Sequence, residues 1–215
     1  ILATMGFFTD EFNHLKAEGH TIELACNRDD VFGFNIEDAG MPVHNIPFSR
    51  SPFTRANVKA YTILKRLVRD NKYDIVHCHT PNAAAVTRLA CKGIRQYGTK
   101  VIYTAHGFHF YKGAPKKNWL VFYPVEWLCA HWTDVLLTMN SEDFELAKKK
   151  FKAGKIDYVP GIGINLSKFA DTLVDIRQKR RELHLPEQAI VLLSVGELND
   201  NKNHEIVIRA VAGLD

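Results

Sequence analysis

Two pairs of histidines, each at the end of an apolar run, are the side chains of this sequence best suited to chemistry. His77 and His79 lie two residues apart, so on a strand both point to the same side. His106 and His109 lie around Gly107 after the next apolar run, and the glycine gives both rings access to one cleft. Because imidazole is the usual general base near neutral pH, we predict that His106 or His109 carries the chemistry. His77, deeper in its strand, is predicted to be structural, and His79 fits either role.

The same four histidines could instead supply nitrogen ligands to zinc. Ligating histidines are commonly oriented by a carboxylate, and no Asp or Glu sits beside either pair in the sequence. We therefore predict no metal site, and a metal hydrolase is the weaker interpretation.

Two glycine-containing turns could approach a sugar or a phosphate. Thr4 and Gly6 form a small-residue turn after the first apolar run. Near the other end of the sequence, Gly196 follows the apolar run at 189–195. A polar loop containing Lys202 then leads into a helical pattern. Backbone N–H groups and an ammonium at the start of a helix suit a diphosphate. Taken alone, Lys202 would be read as an ordinary solvated loop residue.

The elements that must position these residues alternate between strand and helix, which predicts an α/β fold with a Rossmann-like parallel sheet and helices on both faces. Strands are predicted at 1–5, 21–26, 43–48, 74–79, 100–106, 134–140 and 156–160. Helices are predicted at 7–18, 54–70, 82–96 and 141–151. Since ligands bind outside the carboxyl ends of parallel strands, both histidine pairs are expected at the functional edge of the sheet.

The alternation is interrupted after residue 160 and then begins again. A charged helix is predicted at 175–183, followed by an apolar strand at 189–195 and an amphipathic helix at 203–214. One βα unit cannot bury its own apolar faces. We therefore predict a first domain over 1–165, a linker and helix over 166–188, and over 189–215 the first βα unit of a truncated second domain.

Composition places the chain among ordinary globular proteins. It has 215 residues, 46% hydrophobic and 24% charged, which excludes disordered and collagen-like classes. The formal charge of +4 is too small to indicate nucleic acid as a partner. The four cysteines form no C-x-x-C pair, and neither a leader peptide nor an apolar run of about 18 residues is evident, so we expect a cytoplasmic protein.

Two stretches combine cations with aromatic residues. The segment 112–127 is predicted to contact anionic lipid or a lipid-linked acceptor at the inner face of the membrane. The cations around the helix at 54–70 are interpreted as a solvated face.

The motifs together resemble bacterial glycosyltransferases of family 4, which have the two-domain GT-B architecture. The similarity is greatest to the branch that builds capsular, exopolysaccharide or glycoprotein glycans on lipid carriers. The segments that carry it are YDIVHCHTP (73–81), TAHGFHFYKG (104–113), TDVLLTMNSED (133–143), VPGIG (159–163) and VGEL followed by KN (195–203).

This resemblance implies retaining transfer of a sugar from a nucleotide-sugar donor to an acceptor hydroxyl, without a metal or other cofactor. It implies a histidine near the donor sugar at the position of His106 or His109, and donor diphosphate contacts at Gly196, Glu197 and Lys202. Many relatives carry Arg at the position of Glu197, whose carboxylate would repel diphosphate. The acceptor side is expected to include Thr4, Gly6, His79, Asn140 and Glu142.

The resemblance implies a Glu-x7-Glu donor motif that belongs to the second domain, of which only the first βα unit is predicted here, so we expect the chain alone to be inactive. Two other interpretations remain open at this point. One is a nucleotide-sugar epimerase of the same architecture, and the other is a sugar- or lipid-binding module with structural histidines.

Overall fold

The computed structural model describes residues 8–28, 40–163, 166–167, 174–200 and 202–213. The chain forms two compact units, Ile1–Ile162 and Gly163–Asp215. The predicted strand at 1–5, with Thr4 and Gly6, lies outside the described residues. The predicted domain and linker boundaries stay predictions.

The first unit alternates strands and helices, and every strand pair in its described part is parallel. The strands are β1 (Leu24–Cys26), β2 (Val43–Asn45), β3 (Ile75–His79), β4 (Lys100–Ala105), β5 (Val135–Thr138) and β6 (Lys155–Tyr158). The helices are α1 (Thr9–Ala17), α2 (Arg55–Asn71), α3 (Pro81–Cys91), α4 (Lys116–Ala130) and α5 (Ser141–Lys150). Strands β1 and β2 pair with each other, and the other four form one sheet in the order β3-β4-β5-β6. The predicted α/β class with a parallel sheet flanked by helices is therefore confirmed.

Helix α2 shows how the sequence specifies these elements. The Thr54 hydroxyl accepts a hydrogen bond from the backbone N–H of Asn57 and caps the helix. Ala60, Leu64 and Val68 recur at helical spacing and are buried, the latter two in a cluster with residues of α3 and β4. The helix is followed by Lys72 in the left-handed region, which ends it.

A second core cluster lies under β4, α4 and α5. Tyr103 from β4 packs there with three phenylalanines, of which Phe108 and Phe110 stack with ring centroids 4.9 Å apart while Phe151 meets Phe108 edge-on. These aromatic anchors fix the loop that follows β4, and this loop carries His106 and His109.

Helix α4 was not predicted from the sequence. After the polar residues Lys116, Lys117 and Asn118 its turns are apolar on nearly every side, and Pro124 lies inside it, so neither a one-sided periodicity nor a proline-free run marks it. The predicted helix 82–96 is divided into α3 and a short 3₁₀ helix at Ile94–Tyr97.

The second unit contains α6 (Ile176–Glu182) and α7 (His204–Ala212), as predicted. The Asp175 side chain caps α6 by accepting from the backbone N–H of Arg177 and Gln178. The strand predicted at 189–195 is wrong, because these residues form no strand in the structure. An apolar run becomes a strand only when a neighbouring strand accepts its backbone hydrogen bonds, and the described residues of this unit supply none.

Candidate functional site

The ends of β3 and β4 bring His79 and His106 into direct contact. The two strands pair in parallel with His79 opposite Thr104, so His106 lies just beyond the same edge of the sheet. The Nδ1 atom of His79 lies 3.0 Å from Nε2 of His106, within hydrogen-bonding distance. The sequence predicted that both would lie at this edge, but not that they would be bonded to each other.

His77 has a partner within the sheet. Its Nε2 lies 2.8 Å from the Thr104 hydroxyl oxygen, and its ring centroid is 4.3 Å from that of His79. A hydrogen-bond partner and a packed ring are compatible with a structural histidine. The structural role of His77 stays a prediction.

The three imidazoles are held in the neutral form at pH 7. Burial, followed by the neighbouring imidazoles, lowers the pKa of His79 to about 3, and burial with the proximity of His106 lowers the pKa of His77 to about 4. Burial also lowers the pKa of His106. By solvent accessibility, however, His77 and His106 are exposed and only His79 is half-buried, so solvent screens the shifts of the first two strongly. Each neutral ring has one nitrogen that donates and one that accepts.

Thr80, between His79 and helix α3, has an unusual backbone. Its φ of 64° is in the region that β-branched residues rarely adopt. Pro81 then begins α3, and the Thr80 side chain forms no cap hydrogen bond. Such strain is commonly found beside functional sites, where the surrounding structure enforces it.

The loop after β4 separates His106 from His109. Gly107 has a φ of 132°, a value that L side chains rarely adopt. The backbone N–H of Phe108 donates to Asp143 Oδ2 at 2.9 Å, and Phe108 is buried. His109 remains exposed with its ring centroid 4.7 Å from that of Phe122. The two histidines proposed for catalysis therefore have different surroundings.

Asn140 and Glu142, predicted on the acceptor side, both hold backbone in place. The Asn140 side chain accepts from the backbone N–H of Asp143 at 2.8 Å and caps α5. Glu142 Oε1 accepts from the backbone N–H of Lys112 at 2.6 Å. The acceptor role of these residues stays a prediction. Asp143 was missed, although a buried carboxylate three residues after a capping Asn is a recognisable helix-start signal.

A cleft of about 300 Å³ opens at this edge of the first unit. It lies between the segment after β2, the start of α3, the loop after β4 and helix α4. Its lining residues are Asn27, Phe48, Ser49, Arg50, Thr80, Pro81, Asn82, Ala83, His109 and Phe122.

Sequence reasoning missed the polar residues of the cleft other than His109. The Asn82 side chain donates to the Arg50 carbonyl, and the Asn27 side chain donates to the Phe48 carbonyl at 3.1 Å. These residues follow three different strands, and only that position at strand ends could have identified them.

The second unit holds the residues assigned to the donor. Gly196 lies so close to its neighbours that an added Cβ would be 3.3 Å from both Lys202 Cγ and His204 Nε2. His204, which was missed, bridges the turn, with Nδ1 2.7 Å from Ser194 Oγ and Nε2 3.2 Å from the Glu197 carbonyl oxygen. The glycine allows the turn to close tightly.

Lys202 and Glu197 both extend from this turn. The backbone N–H of Lys202 donates to Asn199 Oδ1 at 2.9 Å, while its ammonium forms no salt bridge with described residues. Asn199 also donates to Glu197 Oε2 at 3.0 Å. Their contact with a diphosphate stays a prediction.

The described residues form neither a metal-binding cluster nor a membrane-spanning helix. No group of three or more His, Cys, Asp or Glu side chains in these ranges could hold a metal ion. Within the same ranges, no helix combines the length and apolar character needed to cross a membrane.

The chain is similar in sequence to known proteins. A family model described as a glycosyl transferase 4-like domain matches residues 8–161. A Bacillus subtilis (strain 168) protein named as a glycosyltransferase, EpsD, is 42% identical over 97% of this chain and 54% of its own length. An Escherichia coli protein named UDP-Gal:alpha-D-GlcNAc-diphosphoundecaprenol alpha-1,3-galactosyltransferase is 29% identical over 90% of this chain and 50% of its own length. The chain thus spans about half the length of these curated relatives.

Among solved structures, a sucrose-phosphate synthase from Thermosynechococcus elongatus aligns over 86% of this chain and 96% of that chain, at 15% identity and a TM-score of 0.47.

Proposed function

This chain belongs to the glycosyl transferase 4-like family, and we propose on that basis that it serves in the transfer of a sugar from a nucleotide-sugar donor to an acceptor hydroxyl. The observation that carries the proposal is the cleft at the carboxyl edge of the sheet, with His109 on its wall and the bonded pair His79 and His106 at the adjoining strand ends. Open parallel sheets bind their ligands at this edge.

The acceptor we propose is a saccharide linked to a lipid diphosphate. The E. coli relative is named for an acceptor of this class, and the relationship extends over 90% of this chain. Binding in the first unit is supported by the cleft, which offers His109 and the Asn82 side chain beside an aromatic surface at Phe122.

His106 is proposed to contact the reacting groups through Nδ1. Its Nε2 is engaged by His79, and Nδ1 has no hydrogen-bond partner among the described residues. The proton between the two rings then decides what Nδ1 can do. If His79 donates, the Nδ1 of His106 carries a proton and can donate to the donor sugar; if His106 donates, its Nδ1 accepts. His79 is thereby a positioning residue in this proposal.

The donor diphosphate is proposed to bind the Gly196–Lys202 turn of the second unit. The Lys202 ammonium supplies positive charge close to the start of α7, and a helix N-terminus suits an anion. Glu197 opposes this charge, so we expect a second cation from residues that are not among these 215. The resemblance also implies retention of anomeric configuration and no requirement for metal.

A product assay tests the proposed function. The full-length enzyme is incubated with a panel of UDP- and GDP-sugars and a GlcNAc-diphosphoprenol acceptor, with and without EDTA, and the products are identified by mass spectrometry and NMR. The proposal predicts a lengthened lipid-linked glycan in both conditions. An epimerised nucleotide-sugar or free sugar alone would overturn it.

The 215-residue chain by itself is predicted to transfer no sugar. The apolar side chains of 189–195 are largely exposed in the second unit, as expected for part of a larger domain. Turnover by this chain with any nucleotide-sugar of the panel would contradict the two-domain proposal.

A further inference from the structure

The loop at residues 49–53, the Phe53 loop, is held rigidly by one buried side chain. Asn57 accepts from the backbone N–H of Ser49 at 2.9 Å and donates to the carbonyl oxygens of Ser51 and Pro52 at 2.8 and 3.2 Å. Asn57 is buried, yet the loop it fixes presents Phe53 with 87% of its surface exposed. A large aromatic side chain held in water by an ordered loop is costly unless something covers it.

A second apolar surface lies across the cleft from this loop. The Phe53 loop contributes Ser49 and Arg50 to one wall, and α4 contributes Phe122 to another. The exposed apolar side chains of α4 are Leu120, Val121, Val125, Trp127 and Leu128, which we call its outer face. Leu120 is 79% exposed. Both walls of one cleft therefore carry apolar groups that no described residue covers.

The charged side chains of both walls are all positive. The sequence contains 24 acidic residues, but none lies in 46–69 or in 107–125. Arg55 and Lys59 lie beside the Phe53 loop, and Lys116 and Lys117 begin α4. All four are exposed, and none forms a salt bridge with a described residue. Aromatic and aliphatic groups flanked only by cations suit an anionic lipid surface.

We propose that the Phe53 loop and the outer face of α4 rest together on an anionic bilayer, with the mouth of the cleft facing the headgroups. The proposal rests on the proposed function, since it lets a lipid-linked acceptor enter the cleft without leaving the membrane. It also replaces the expectation that the cations at the start of α2 face only water. We favour anionic lipid over an acidic protein because the exposed apolar side chains can enter a bilayer and the proposed acceptor is itself linked to a lipid.

Vesicle co-sedimentation of the full-length enzyme tests the surface directly. Binding is compared for phosphatidylcholine vesicles and for vesicles with about 30% phosphatidylglycerol. We expect binding only to the anionic vesicles, reduced about tenfold by Phe53→Ser and about fivefold by each of Arg55→Gln and Lys59→Gln. Tyr97→Ser is the matched control, because Tyr97 is 82% exposed but precedes β4 at the opposite edge of the sheet. Equal losses for Phe53→Ser and Tyr97→Ser, or equal binding to both vesicles, would overturn the proposal.

A fluorescent label gives a second measurement that does not depend on a weakened variant. All four cysteines are buried, so Phe53→Cys introduces an exposed thiol that can be labelled with an environment-sensitive dye. We expect several-fold brighter emission on anionic vesicles for the dye at position 53 and no increase in emission for the dye at position 97. Unchanged emission at position 53 would place the loop outside the bilayer.

Neither measurement contains a nucleotide-sugar, so this inference and the proposed function can fail separately. Anionic-lipid binding without sugar transfer would retain the surface and reject the function. Sugar transfer by an enzyme whose Phe53 loop stays in water would retain the function and reject the surface.

Discussion

Removing Glu126 tests how the buried polar groups hold α4 in place. Arg88 of α3 lies 2.8 Å from Glu126 Oε2 of α4, and their side chains are only 1% and 6% exposed. The Arg88 guanidinium also donates to the Ala84 carbonyl at 3.1 Å and lies 4.1 Å from the ring centroid of Tyr103. Burial alone would lower the pKa of Arg88, but Glu126 raises it, so the guanidinium stays charged.

Glu126→Ala would leave this guanidinium buried without its counter-charge. Loss of one partner of a buried pair costs about 3–5 kcal/mol, and we expect a decrease of that size in the free energy of unfolding. Replacing both partners together, as Arg88→Met with Glu126→Leu, should cost much less because no unpaired charge remains.

Urea unfolding followed by tryptophan fluorescence measures this effect, since all three tryptophans lie in the first unit. Glu145→Ala is the control, because Glu145 forms an exposed pair with Lys149 on α5, and such pairs contribute under about 1 kcal/mol. A loss below about 1 kcal/mol for Glu126→Ala, or a double variant less stable than the single one, would refute the reasoning.

Two other predictions concern the functional edge. The pKa values of His77 and His79 are lower in the folded protein than the ordinary 6.5, so below pH 6.5 the unfolded chain binds more protons and stability falls with pH, down to about pH 3–4. After allowance for partial exposure we expect the free energy of unfolding to fall by about 1–2 kcal/mol between pH 7.5 and pH 4. Urea midpoints measure this loss, which should be smaller in a His77→Asn, His79→Asn double variant. A midpoint that is constant over this range would contradict the prediction. Asp143→Ala should cost about 1–3 kcal/mol, since the buried Phe108 N–H would lose its acceptor, whereas the exposed Glu142→Ala should cost less. Equal losses for these two acidic residues in the same urea assay would count against the loop assignment.

The parts of the fold with strong local signals could be predicted from the sequence. Helix α2 has a capping Thr54 and apolar residues at helical spacing, and β3 and β4 are short apolar runs that end in polar residues. Helix α4 could not be predicted, because it is buried on one side and apolar on the other, which removes the periodicity. The apolar run at 189–195 was misassigned because its local pattern is that of a strand, whereas a strand also depends on a partner that local sequence does not reveal.

The candidate site was predicted only in outline. Parallel strands place His79 and His106 at one edge whatever the details of packing, and this follows from the alternation of elements. Their direct hydrogen bond depends on β3 and β4 being neighbours, which the sequence did not specify. The walls of the cleft come from segments up to 95 positions apart, Asn27 to Phe122, and only the folded chain brings them together.

The central claim is that histidines at this edge serve sugar transfer, and initial rates of the full-length enzyme test it most directly. Wild type is compared with His106→Ala, His109→Ala and the control His131→Ala, which alters an exposed histidine before β5 at the opposite edge of the sheet. We predict a loss of about 100-fold or more for His106→Ala, the ordinary effect of removing a positioned acid or base. For His109→Ala we predict a raised KM for the acceptor, and for His131→Ala no change. Rates for His106→Ala and His109→Ala equal to that of His131→Ala would contradict the account.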